Sequence, residues 1–302
     1  MIKRTLYFGN AVRLSKRDSQ LVVAYPEDLP GHESKTVAIE DIGIIILDHY
    51  SVQITQALLS ALLENNAAVL CTDAKHMPAG MFLTMQGHSE LTEHYRWQIE
   101  ASLPLKKNLW QQTVEQKIEN QATLLKFYGQ PYEDVQMLAR TVKSGDTENN
   151  EAQAAAIYWR RLFDPELGFK RGRYEDAPNN MLNYGYAILR AVVARSLAAS
   201  GLLCALGLHH RNKYNPFCLA DDVMEPYRPY VDKLVCALVD SDIDYSELTP
   251  ALKKELLQIP AMDISFDGER SPLMVGMQRT TASLARCYGR ETRKVLYPEL
   301  II

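Results

Sequence analysis

Three stretches of this 302-residue sequence carry side chains able to hold a divalent cation beside a phosphate. The first is Glu151, in Asn149-Asn150-Glu151-Ala152-Gln153-Ala154-Ala155-Ala156-Ile157-Tyr158-Trp159. Asn149 or Asn150 is a good helix N-cap, which puts Glu151 in the first turn. A first-turn glutamate commonly does no more than complement the helix dipole. The small residues after Glu151 weaken that bland reading, because they let another backbone pack closely and leave the carboxylate less freely solvated. The second stretch is His209-His210, between an apolar helix and the Asn215-Pro216-Phe217 loop. Adjacent side chains diverge, so the two imidazoles are not expected on one ion. A loop histidine without a partner is more often structural than a ligand. The third is Asp221-Asp222-Val223-Met224-Glu225-Pro226. On a helix, Asp222 and Glu225 stand three apart and Asp221 and Glu225 four apart, which is repulsive unless a cation compensates. A solvated acidic patch closed by Arg228 is the alternative, and Pro226 kinks or restarts the helix there.

Taken together, two carboxylates and one imidazole suit Mg²⁺ or Mn²⁺, with positions open for water and a phosphate oxygen. Zinc is less favoured, since neither a cysteine pair nor an H-E-x-x-H helix is present. The sequence has no glycine-rich phosphate loop and no local signature of a serine or cysteine nucleophile. Arg160, Arg161, Lys170, Arg171 and Arg173 follow Glu151 closely, diluted by Asp164 and Glu166 and interleaved with Tyr158, Trp159, Phe163, Phe169 and Tyr174. Such a mixture suits phosphate contacts with base stacking, and equally an ordinary helix surface whose aromatics face the core.

The elements that must position these residues have two textures. Up to about Cys71, short β-like runs (Thr5–Phe8, Gln20–Tyr25, Ile42–Leu47, Ala67–Cys71) alternate with turn residues, and Ser51–Asn65 has helical spacing. Beyond Pro78 the pattern is helical. Leu109–Tyr128 places Leu109, Val114, Ile118, Ala122 and Leu125 on one broad face. Glu151–Phe163, Met181–Leu208, Ala220–Asp240 and Thr280–Tyr288 are predicted helices, a shorter one lies between Pro250 and Pro260, and Ser200-Gly201 is a candidate break. The reading is α+β and multidomain: a small β-rich domain over 1–77, a connector over 78–100 and an all-α domain over 101–302. At 47% hydrophobic and 23% charged residues, the composition is that of a soluble globular protein with a substantial core. Five scattered cysteines suit reduced thiols, and no apolar run is long enough to span a bilayer, so a cytoplasmic location is expected. A formal net charge of −4 argues against a simple nucleic-acid coat, though not against an enzyme with a local basic track.

Almost end to end, the sequence resembles CRISPR-associated protein one, the integrase and endonuclease of spacer acquisition, in the form found in type II systems. The likeness rests on Val37-Ala38-Ile39-Glu40-Asp41-Ile42, Pro78 and His88, Leu105-Lys106-Lys107-Asn108-Leu109-Trp110 and Lys117-Ile118-Glu119-Asn120-Gln121. It continues through Glu151–Trp159, Leu182-Asn183-Tyr184-Gly185-Tyr186-Ala187-Ile188-Leu189 and Gly207–Asp232, the last being the most specific portion. By motif, Glu151, His210 and Glu225 match the family's three metal ligands, with Asp222 a candidate assistant. The resemblance implies a β-domain that dimerises, joined to a helical catalytic domain. It also implies two such dimers bridged by a small ferredoxin-like adaptation protein into a hetero-hexamer, and leaves contact with the large effector nuclease open. The implied reaction is transesterification: the 3′-hydroxyl of a prespacer duplex attacks a phosphodiester at a CRISPR repeat boundary. Arg161, Arg171 and Arg173 are the candidate DNA phosphate contacts. A stand-alone metal-dependent nuclease and a non-catalytic DNA scaffold are the rival readings.

Overall fold

The computed structural model describes residues 3–26, 34–74, 78–85, 87–172, 175–241, 243–300 and 302. Its amino-terminal part contains β1 (Arg4–Phe8), β2 (Arg13–Arg17), β3 (Gln20–Ala24), β4 (Lys35–Ala38), β5 (Ile42–Leu47), β6 (Gln53–Ile54), α1 (Gln56–Glu64), β7 (Ala68–Thr72) and β8 (Pro78–Phe82). Two four-stranded sheets result, ordered β1-β5-β7-β8 and β4-β3-β2-β6. In the first, β1, β5 and β7 run parallel and β8 closes the edge antiparallel. The run Ile42–Leu47 is apolar throughout because its strand is covered on both faces. Ile45 packs into the core shared with Leu14, Leu21 and Leu58. Ile44 and Ile46 enter the core of the helical part. One sheet therefore serves two cores. Since β8 belongs to it, the sheet extends past the expected domain edge at residue 77.

The helical part comprises α2 (Leu91–Ile99), α3 (Leu103–Phe127), α4 (Glu133–Arg140), α5 (Asn150–Leu162), α6 (Asn179–Ala199), α7 (Cys218–Met224), α8 (Arg228–Val239), α9 (Pro250–Leu256) and α10 (Leu273–Tyr288). A small antiparallel hairpin, β9 (Asp263–Phe266) with β10 (Glu269–Pro272), interrupts this otherwise helical region. The predicted stripe of α3 (Leu109, Val114, Ile118, Ala122, Leu125) is buried throughout. α6 is the central helix, with most of its residues buried. A Cβ at Gly185 would lie 2.6 Å from Val231 Cγ1, so the absent side chain lets α8 approach α6. No helix among the described residues is long and apolar enough to cross a membrane.

Two predicted helices are cut short, and both cuts bear on the site. α6 stops at Ala199 instead of reaching Leu208, because Gly201 takes a left-handed φ of +67° and turns the chain away. A Cβ at Gly201 would stand 3.0 Å from His94 Nδ1 and 3.1 Å from His88 Cβ. Gly201→Ala is therefore expected to cost about 1–3 kcal/mol in urea unfolding, through φ strain and crowding. The predicted helix Ala220–Asp240 is instead α7, a 3-10 turn at Glu225–Tyr227, and α8. Pro226 cannot donate to the helical ladder, so the chain restarts there, with Glu225 at the joint.

Candidate active site

The acidic run over α7 and the 3-10 turn that follows it is not a solvated patch. Its three carboxylates are buried, and each is claimed by a different neighbour. Asp221 accepts from Arg190 Nε at 2.6 Å and Asn215 Nδ2 at 2.7 Å. Asp222 accepts from the backbone N–H groups of Leu208 (2.6 Å) and His209 (3.0 Å), and its other oxygen meets His210 Nδ1 at 2.5 Å. Glu225 accepts from Arg228 Nε at 2.9 Å through one oxygen, and its other oxygen faces Lys117 Nζ at 2.6 Å. The repulsion expected at three- and four-residue spacing is thus offset by cations and donors from α3, α6, α8 and the 207–215 loop.

Glu151 is brought to the same place from α5. Its N–H is capped not by either asparagine side chain but by Asp146, whose carboxylate accepts from Asn150 N at 2.8 Å and Glu151 N at 3.1 Å. Asn149 takes a left-handed φ of 57°, which turns the chain into the helix. Lys117, from α3, donates to Glu151 Oε1 at 2.6 Å, so one ammonium bridges Glu151 and Glu225. Lys117 and Glu225 are 9% and 5% exposed in their side chains, against 23% for Glu151. Burial opposes the charges here, but Arg228 and Lys117 hold the Glu225 carboxyl below the ordinary range. Burial likewise lowers Lys117, and Glu225 and Glu151 outweigh it and raise the ammonium above 10.5. Glu225 Oε2 is buried and has no hydrogen bond of acceptable geometry, despite the 2.6 Å approach of Lys117. A buried carboxylate oxygen that meets a single flexible ammonium is the kind of donor a hard cation takes up.

His210 comes from the loop that Gly201 opens, and is half-exposed. With Nδ1 engaged by Asp222, the neutral ring is set as the Nδ1–H tautomer, leaving the Nε2 lone pair for an ion. Asp222 therefore acts on the site by shaping the 207–210 backbone and orienting His210. His209 diverges, as expected, and stacks on Trp110 at 4.5 Å between ring centroids. The Asp222 hydrogen bond lifts the His210 pKa above 6.5, against partial burial. A protonated ring cannot ligate, so metal affinity is expected to rise as pH climbs through that raised value. In Asp222→Asn the midpoint should shift down toward 6.5 and affinity should fall about 10–100-fold. Calorimetric Mg²⁺ titrations over roughly pH 5–9 check both, and an unmoved midpoint would remove Asp222 from this role.

The candidate DNA contacts separate. Arg161 is committed to a bidentate pair with Asp134 (2.6 and 2.8 Å) and to Pro131 O, tying α5 to α4. Three of its five N–H donors are engaged by the fold, and it does not line the cavity beside Glu225. Arg173 lies outside the described residues. Arg171 does reach the cavity, held by Asn179 and Asn183 and lying over the rings of Trp159 and Tyr186. That cavity, about 480 Å³, is lined by Lys117, Arg171, Arg190 and Arg228 together with Glu225 and Asp232. Asp232 is buried, accepts from Tyr158 and Tyr186, and is pushed up to about 6 by burial. Lys117, Arg190 and Arg228 were missed by composition and spacing, because each is distant in sequence from the carboxylate it serves or looked like a simple patch closure. Among the described residues, the group whose ligand atoms already lie within 4.8 Å of one another is His88, Glu90 and His94 in the connector, not the predicted trio.

The model of the family described as "CRISPR associated protein Cas1" matches residues 6–249. The chain belongs to the Cas1 family. A CRISPR-associated endonuclease Cas1 of Neisseria meningitidis serogroup C (strain 8013) is 38% identical over 304 residues, covering all of this chain and 97% of the relative. Among solved structures, a casposase bound to integration product superposes with a TM-score of 0.79 at 19% identity, covering 98% of this chain and 92% of that one. A Cas6-RT-Cas1–Cas2 complex chain gives 0.75 at 20% identity, covering 99% of this chain and 36% of that longer one. At such identities the structural likeness speaks to fold alone. It agrees with the small β-rich amino-terminal part and the mostly helical remainder.

Proposed function

We propose that this chain is a metal-dependent DNA integrase and endonuclease of CRISPR spacer acquisition, joining prespacer 3′-OH ends to repeat boundaries by transesterification. The observation that carries the reading is that Lys117 bridges Glu151 and Glu225, and that Lys117 and Glu225 line a cavity together with Arg171, Arg190 and Arg228. Glu151, Glu225 and His210 Nε2 would hold Mg²⁺ or Mn²⁺. When bound, such a cation supplies charge stabilisation at the phosphoryl group and lowers the pKa of the attacking hydroxyl. The chain's own residues do the rest. Arg171, Arg190 and Arg228 offer guanidinium groups to the phosphodiester, and Asp222, bonded at Nδ1, fixes the orientation of His210 and leaves Nε2 turned to the ion. Attack by a 3′-oxygen expels another 3′-oxygen, so one ester replaces another and neither ATP nor a covalent enzyme intermediate is required.

Two names among the relatives support the wider reading: one neighbour was solved on an integration product, another in a Cas1–Cas2 assembly. We extend this to a homodimer through the amino-terminal sheets and a hetero-hexamer with a small second adaptation protein on double-stranded DNA. The test is strand transfer, in which purified protein with that partner receives a labelled 3′-OH duplex and a repeat-bearing plasmid, with Mn²⁺ or EDTA. Metal-dependent joined products are expected. Cut strands without joining would replace this reading with a stand-alone nuclease, and binding without either reaction would leave a scaffold.

A further inference from the structure

Lys117 stands between the carboxylates of Glu151 and Glu225. Its Nζ lies 2.6 Å from Glu151 Oε1 and 2.6 Å from Glu225 Oε2, and the side chain is almost fully buried. A cation coordinated by both carboxylates needs the space this ammonium fills. Resting on the functional reading above, we propose that Lys117 is the resident counter-cation of the metal-free site, which a divalent ion must displace to bind. Without a positive charge there, two carboxylates would face each other from different helices, one buried in a medium that screens poorly. The lysine keeps the site assembled before loading, and competes with loading.

The geometry also provides an exit. Lys117 lines the 480 Å³ cavity, and its four-carbon stem is flexible enough to carry the ammonium off the carboxylates without moving α3. A guanidinium at this position would be bulkier and planar. Lysine gives a compact charge that can withdraw.

Competition has a sign that a merely structural residue lacks. Lys117→Gln keeps a hydrogen-bond donor and removes the charge. It is expected to melt on the order of 10 °C below wild type in EDTA and to recover most of that with saturating Mn²⁺. Its Mn²⁺ affinity should be about 10-fold tighter than wild type, because no ammonium has to leave. Calorimetry and thermal melts read these effects with no catalysis involved. Wild type is measured beside Glu151→Gln. If wild type holds no Mn²⁺ that Glu151→Gln releases, the reading of the site fails, and this inference with it. If wild type binds but Lys117→Gln binds equally or more weakly, only the role of Lys117 falls. Should Lys117→Gln not fold, wild type with ¹⁵N-labelled lysine decides. A sheltered, slowly exchanging Nζ signal in EDTA should move or broaden at saturating Mg²⁺, and one that persists unchanged overturns the proposal.

Discussion

Glu151→Gln is expected to fold as the parent does and to lose metal-dependent strand joining by on the order of 10³-fold or more. The first half follows from its surroundings. Glu151 is partly exposed, its helix is capped by Asp146 instead of its own side chain, and an amide can still accept from Lys117. The second half follows from charge, because a neutral amide binds a hard cation far more weakly than a carboxylate. Glu225→Gln should lose joining to the same extent and be less stable as well. Removing that charge strips Arg228 and Lys117 of their buried partner, a change worth about 3–5 kcal/mol. The pair of variants separates chemistry from folding. Calorimetric Mn²⁺ binding, urea unfolding and strand transfer on both provide the readings. Joining by Glu151→Gln within about 10-fold of wild type would remove Glu151 from the ligand set.

The largest stability loss outside the site is expected where the two parts of the fold meet. Asp48, at the end of β5, accepts from Tyr7 at 2.5 Å and Thr72 at 2.6 Å, and pairs with Lys253 of α9 at 2.7 Å. Asp48 and Lys253 are both buried. Lys253→Met removes the ammonium that Asp48 meets at 2.7 Å in this buried joint, and about 3–5 kcal/mol should be lost. The double variant Lys253→Met with Asp48→Asn should recover part of that, since an apolar or neutral pair is cheaper to bury than a carboxylate that has lost the lysine. Urea unfolding of the two singles and the double closes the cycle. A cost below about 1 kcal/mol for Lys253→Met would mean that water reaches the joint and screens it.

Much of the architecture was legible because it follows local pattern. The all-apolar Ile42–Leu47 run announced a strand covered on both faces, and the α3 stripe announced its buried side. Where the pattern misled, backbone chemistry was the cause. Helical periodicity continues past Ala199 and through Glu225, but Gly201 turns left-handed and Pro226 has no N–H to give. The hairpin β9–β10 was missed because four-residue strands bear too little periodicity to stand out.

The sequence by itself determined the family and the chemical types at Glu151, His210 and Glu225, because motif spacing along the chain survives without knowledge of the fold. Its charge reading stopped at saying that Asp221, Asp222 and Glu225 need cations. The tertiary structure decided which: Arg190 for Asp221, the His210 loop for Asp222, Arg228 and Lys117 for Glu225. It also took Arg161 out of the cavity by pairing it with Asp134, and brought Arg190 and Lys117 in. The physical reason is that the sign and strength of an electrostatic contact depend on distance and burial. Lys117 is 34 residues from Glu151 and reaches it only because α3 and α5 pack side by side.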